Sequence, residues 1–189
     1  MRTKHRQPPP DDRKLRELIL YISQRCEGDE TFGATKLNKL LFFADFLAYK
    51  RYGQAITWQD YQALAQGPCP RRLKPIRAAM ERKGDLAVQK RPVGPFVQER
   101  PVCLREPDLS CFTAKQIALV DELIQAWWGQ TAAAISGQSH RFIGWQLAER
   151  GETIPYSVAL VCKPELTAEQ VQRGLALRGA AAESLARHG

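Results

Sequence analysis

No stretch of this chain approaches the run of about 18 apolar residues that a bilayer span requires, so no membrane-spanning helix is expected. The first ten residues, Met1 to Pro10, are charged and proline-rich and lack the apolar core of a secretory signal. The expected location is the cytoplasm. Histidine is scarce: His5, His140 and His188 are the three, and two of them lie in the tails. The five cysteines (Cys26, Cys69, Cys103, Cys111, Cys162) are odd in number, and no pair has CxxC spacing. In a reducing compartment they read as free thiols. With so few soft ligands, none at zinc spacing, no metal and no cofactor is expected. There is no internal repeat and no recognisable oxyanion loop.

What remains is an ordinary globular composition, 44% hydrophobic and 25% charged over 189 residues, long enough for one domain with a substantial core. The net charge of +8 is unevenly placed. Residues 71–105 carry ten Lys and Arg against three acids, +7, whereas 106–189 carry seven against nine, −2. A basic patch of this kind suits an acidic protein partner or a nucleic-acid backbone. The bland alternative is a solvated surface.

The stretch that organises the chain is Lys36-Leu37-Asn38-Lys39-Leu40-Leu41-Phe42-Phe43-Ala44-Asp45, running on to Tyr52-Gly53. Leu37, Leu40, Leu41, Ala44 and Leu47 recur at three- and four-residue steps, and Phe42, Phe43 and Phe46 widen the apolar arc. That pattern predicts a central helix touched by neighbours on two or more sides, with Thr35 as N-cap and Gly53 beyond its end. Before it, 11–26 reads as a helix with Leu15, Leu18, Ile19 and Ile22 on one face, followed by a short acidic loop.

After Gly53 the chain reads as extended to Trp58. Gly67-Pro68-Cys69-Pro70 marks a sharp, fixed corner, with Gly67 able to take a positive φ. A helix follows over 71–83, with Pro75 starting or kinking it. Residues 85–90 and 96–104 predict a small hairpin across a proline-rich connection, 91–95. Thr113-Ala114-Lys115-Gln116 is a capping box for an amphipathic helix ended by Gly129. Thr131 caps a shorter helix, and another piece covers 142–150. A second capping box, Thr167 to Gln170, predicts a last helix. The fold class is mainly α: a compact single-domain helical bundle (11–162) with a small two-stranded β-hairpin, a disordered arm (1–10) and a C-terminal helical tail (163–189).

Two blocks together resemble one family. The first is Lys36 to Asp45 with Tyr52-Gly53, Tyr61 and Gln66-Gly67-Pro68. The second is Thr131-Ala132 through Ser136, then Ser139-His140, Gly144-Trp145, Ala148, Gly151-Glu152 and Ile154-Pro155-Tyr156. Their order and separation resemble the Panacea domain, the antitoxin domain of the SocA type. The resemblance covers roughly 13–160. It implies a mainly helical binding protein, not an enzyme, that neutralises a cognate toxin encoded beside it by direct binding. It also implies a variant role as an adaptor that delivers the toxin to a bacterial protease. Relatives with an added DNA-binding domain differ from this chain, which has little room for one.

Candidate residues divide into two groups. Leu37, Leu40, Leu41, Tyr52, Gly53, Ser139, Trp145, Pro155 and Tyr156 are expected to build the fold. Lys36, Lys39, Gly67, Pro68, Arg71, Arg72, Arg77, Trp128 and His140 are candidate partner contacts. For Lys36 and Lys39 the favoured competing reading places them in solvent or in ion pairs within the fold. Gly67-Pro68 is first of all a backbone corner. Of Trp127 and Trp128, one fits the buried face and the other is a candidate interface anchor. For His140 a structural role, with Ser139 capping, competes with a catalytic pairing to Cys69 or Cys111, which nothing in the sequence orients. A nucleic-acid-binding regulator using residues 71–105 is the alternative function. Oligomeric state is not indicated.

Overall fold

In the computed structural model, residues 7–161 are described. Six α-helices and two antiparallel two-stranded sheets make up this part, so the mainly α expectation holds with one sheet more than predicted. Helix α1 (Asp12–Arg25) starts where Asp11 accepts a hydrogen bond from the Lys14 amide and ends against the acidic loop. Helix α2 (Ala34–Tyr52) is the centre of the fold, packing against α1, α4 and α5 and against strands β2 and β4. Its C-terminal residue Gly53 is left-handed, as expected. Its N-cap is Gly33, not Thr35, which already lies in the first turn.

The expected corner at Gly67-Pro68 is the second strand of a hairpin. Strand β1 (Tyr61–Leu64) pairs with β2 (Gly67–Pro70), Tyr61 opposite Pro70 and Leu64 opposite Gly67. Pro68 and Pro70 lack donors, and such a strand survives only at an edge. On its other side β1 is met by the extended segment after Gly151, with Ala63 N donating to Glu152 O and Ile154 N to Tyr61 O.

Helix α3 (Leu73–Lys83) carries Pro75 in its first turn, where a missing N–H is tolerated. The second hairpin, β3 (Leu86–Val93) with β4 (Phe96–Cys103), runs three residues further toward its tip than the sequence suggests. Helix α4 (Ala114–Trp127) opens with the full capping box of Thr113 and Gln116. Helix α5 (Ala132–His140) is capped by Thr131 and extends past Ser136 to His140. Ser139 therefore sits in its last turn and caps nothing; its hydroxyl donates to Ser136 O. Helix α6 (Ile143–Leu147) is shorter than expected, and a 3-10 turn (Tyr156–Leu160) closes the described chain. The arm before Gln7, Cys162, the second capping box and the tail 163–189 lie outside the described residues.

Two apolar clusters meet across α2. One is aliphatic, built from Leu15, Leu18, Ile19 and Ile22 of α1, Leu37, Leu40 and Leu41 of α2, Ile76 and Met80 of α3, and Leu119, Val120 and Ile124 of α4. Each such side chain contributes about 1.5–3 kcal/mol of burial free energy before ordering costs. The other is aromatic, built from Phe42, Phe46, Tyr61, Tyr156 and Ile154.

Candidate functional site

The polar residues of α2 are drawn into the interior. Lys36 is 1% exposed, and its Nζ donates to Asp29 Oδ2 at 2.6 Å, Thr31 Oγ1 at 2.9 Å and Gln130 O at 3.0 Å. Burial alone would raise the Asp29 carboxyl, but the hydrogen bonds from Lys36 and Thr31 outweigh it and hold the carboxyl below its usual range. Of the two readings of Lys36, internal pairing is the one the geometry shows. The side chain has no surface left to offer a partner.

Lys39, one turn on, is equally buried but has no carboxylate. Its Nζ donates to Gln66 O in the turn of the first hairpin, and burial pushes its pKa down to about 8. Gly67 lies against it at φ +100. A Cβ there would collide with Lys39 Nζ, come within 2.7 Å of Ser139 Oγ and 3.3 Å of His140 Cδ2. Only glycine satisfies both the left-handed backbone and this close approach. The His140 ring stacks on Trp145 at 4.2 Å, and Trp145 Nε1 donates to Leu64 O. Asn38 Nδ2 donates to Pro68 O. Lys39, Gly67, Pro68, Ser139, His140 and Trp145 thus form one node where α2, the first hairpin, α5 and α6 meet. His140 Nε2 and Asn38 Oδ1 are buried there without partners. Ser139, Lys39, Gly67 and Pro68 are buried, so the node joins elements and presents little to solvent.

Asp45 is the residue that sequence reasoning missed. It is fully buried, and it accepts from Thr57 N at 2.6 Å, from Thr57 Oγ1, from Tyr61 Oη at 2.9 Å and from Tyr156 Oη at 3.4 Å. Burial raises its pKa against the pull of these donors. Tyr156 Oη also reaches Gln59 O at 2.8 Å. These bonds pin Thr57 and Gln59 on either side of Trp58, whose φ is +54. A left-handed aromatic residue is strained by about 1–3 kcal/mol, and its ring is held by Tyr49 and Tyr156. The available signal was a lone carboxylate in the middle of an otherwise apolar helix.

The remaining candidates are scattered. Tyr52 and Trp128 are about half exposed, at 43% and 48%, while Trp127 stacks on Phe43. Arg71 bonds Gln62, Gly151 O and Thr153, and Arg72 pairs with Asp12 at 2.7 Å. Arg77 is largely covered and lies 3.8 Å from Glu99. Further along the basic stretch, Arg105 forks onto Glu17 and also reaches Asp85, and its hydrogen bonds hold the Glu17 carboxyl low. Arg100 is 5% exposed and donates to four backbone carbonyls, of Cys26, Glu27, Asp29 and Phe32. Several bases of the presumed patch therefore hold the fold together instead of forming one continuous surface. Cys69 and Cys111 have thiols raised by burial, the opposite of an activated nucleophile. Among the described residues no group of His, Cys, Asp and Glu could hold a metal ion, and no helix is long and apolar enough to cross a membrane.

A helical core threaded by a buried lysine–glycine–histidine node and a buried aspartate is the architecture of a domain organised for packing. The family model of the antitoxin SocA-like Panacea domain matches residues 37–146, more than half of the sequence, and the chain belongs to that family. The match begins within the first block and takes in Ser139-His140 and Trp145. Neither curated proteins nor solved structures gave a match.

Proposed function

We propose that this protein is a cytoplasmic antitoxin that neutralises a cognate toxin, encoded by the adjacent gene, through direct protein–protein binding and without chemistry of its own. The observation that carries the reading is the family membership over 37–146. Two features support it. The motif residues are consumed in building the core, which suits a preformed binding scaffold. Among the described residues, His140 and the four thiols lie in no arrangement that would activate a nucleophile.

The test is co-expression with the adjacent gene. A toxic neighbour that becomes harmless and co-purifies stoichiometrically is the expected result. Growth arrest that this chain cannot relieve, with no complex on purification, rejects the reading. In the adaptor form of the same function, the toxin's half-life in cells shortens when this protein is present; a half-life independent of it leaves sequestration alone.

A further inference from the structure

We propose that the tip of the β3–β4 hairpin is the surface on which the toxin docks, and that the toxin meets it with an acidic face carrying an apolar cleft. The proposal rests on the antitoxin reading above. Around the turn at Gly94-Pro95, Val93, Phe96 and Val97 are 52%, 74% and 65% exposed. The register puts Val93 opposite Phe96 on one face of the hairpin and Pro92 opposite Val97 on the other, so the tip is apolar on both faces. Nothing in the fold needs these side chains there, and an exposed aromatic paired with a valine suits an interface anchor.

The base of the same hairpin is locked. Arg100 holds four carbonyls of the 26–32 loop, and Gln98 Nε2 donates to Glu30 O at 3.2 Å. Gly33 lets β4 approach the start of α2: a Cβ there would come within 2.9 Å of Gln98 Cγ and 3.2 Å of Glu99 O. The tip therefore projects from a fixed pedestal, and binding at a fixed tip spends little free energy on ordering.

Its surroundings choose the partner's chemistry. A groove of about 810 Å³ opens beside the tip, walled by Arg91, Phe96 and Val97 and by the first turns of α2 and α5. Neither first turn contains an acidic residue, so both direct positive dipole ends toward the groove. Lys90 and Arg91, beside the tip on β3, are exposed and have no ion pair among the described residues. Glu30 and Glu99 also line the groove, and Glu99 is opposed by Arg77. A second copy of this chain would set Lys90 and Arg91 of one tip against those of the other. A nucleic acid would find one aromatic ring where a stacking platform needs several. An acidic protein surface satisfies both the charge and the apolar tip.

The experiment measures binding of the full chain to the purified adjacent-gene product by calorimetry at two salt concentrations. Phe96→Ser, at an exposed site, is expected to weaken binding at least tenfold with an unchanged melting temperature. Lys90→Glu with Arg91→Glu is expected to weaken binding at low salt and flatten its salt dependence. A photo-crosslinker at Val97 is expected to capture the toxin, and one at Leu147, exposed elsewhere, is not. Wild-type affinity in Phe96→Ser, capture from Leu147 alone, a dimer of this chain joined through the tip, or recovery of nucleic acid in place of toxin each overturns the proposal. If the unmodified chain binds no toxin, the antitoxin reading itself fails and the proposal falls with it; if it binds while the tip variants bind as well, only the proposal fails.

Discussion

The two sides of α2 are stabilised by different means. On the side facing α1 and α4, the buried cluster is mostly aliphatic. On the side facing the first hairpin and Tyr156, five aromatic rings, Phe42, Phe46, Phe142, Tyr61 and Tyr156, pack on one another, and the two phenols reach Asp45. The aliphatic side tolerates exchange of similar shapes, because burial is non-directional. The aromatic side depends on direction: the carboxylate must face Thr57 and the two phenols at once, and a buried donor left without its acceptor is costly.

The largest break in this comparison comes from Asp45→Ala. It strands the Thr57 amide and hydroxyl in the interior, and we expect about 4 kcal/mol of destabilisation in urea titrations. Asp45→Asn keeps one acceptor and should lose about half as much. Equal losses for the two variants would mean that volume, not polarity, organises this side. The pH dependence of Asp45 has a definite sign. Its folded carboxyl holds a proton to higher pH than the unfolded one, so its contribution is complete below about 3.8 and is lost as pH rises through the folded value.

Lys39 gives the next effect, with the opposite course. Its folded pKa of about 8 lies below the ordinary 10.5, so between those values the unfolded chain binds more protons. Stability should rise by about 3 kcal/mol from pH 8 to 10.5 on this account. Lys39→Met should remove the rise. A slope that survives the substitution assigns it to another group.

On the aliphatic side, Leu18→Ala opens a cavity at a fully buried site, and about 3 kcal/mol should be lost. Leu18→Met should lose less than about 1.5 kcal/mol. That tolerance, set beside the Asp45 pair, is the sharpest form of the contrast. Gly67→Ala is expected to lose about 2 kcal/mol, from the left-handed backbone and the contact with Lys39 and Ser139. Restoring stability by Gly67→Ala with Lys39→Ala together would show that the contact, and not the backbone angle, is the larger part.

The aliphatic side was legible in the sequence, and the aromatic side in part: Phe42, Phe46 and Tyr156 were readable as core, but the carboxylate that Tyr156 reaches was not. Helical spacing exposed Leu15, Leu18, Ile19 and Ile22, and the capping box at Thr113 marked the start of α4, because both signals are local. The first hairpin escaped because its strands are four residues long and one of them carries two prolines. Asp45 escaped because its partners are 12, 16 and 111 positions away. Lys36 and Lys39 were visible as candidates, but only the fold shows that one is caged by Asp29 while the other has no carboxylate. The two motif blocks converge in space, on Gly67 and on Asp45.

The four tryptophans divide along the same line. Trp58 sits among the tyrosines around Asp45, Trp127 lies on Phe43 beside the aliphatic side, Trp145 covers His140, and Trp128 faces solvent. The molecule therefore carries its own fluorophores in each compartment. A set of single-tryptophan variants would report, by emission wavelength alone, whether the two sides of α2 melt together or in sequence. Trp145, stacked on His140, gives the lysine–glycine–histidine node an optical readout of its own.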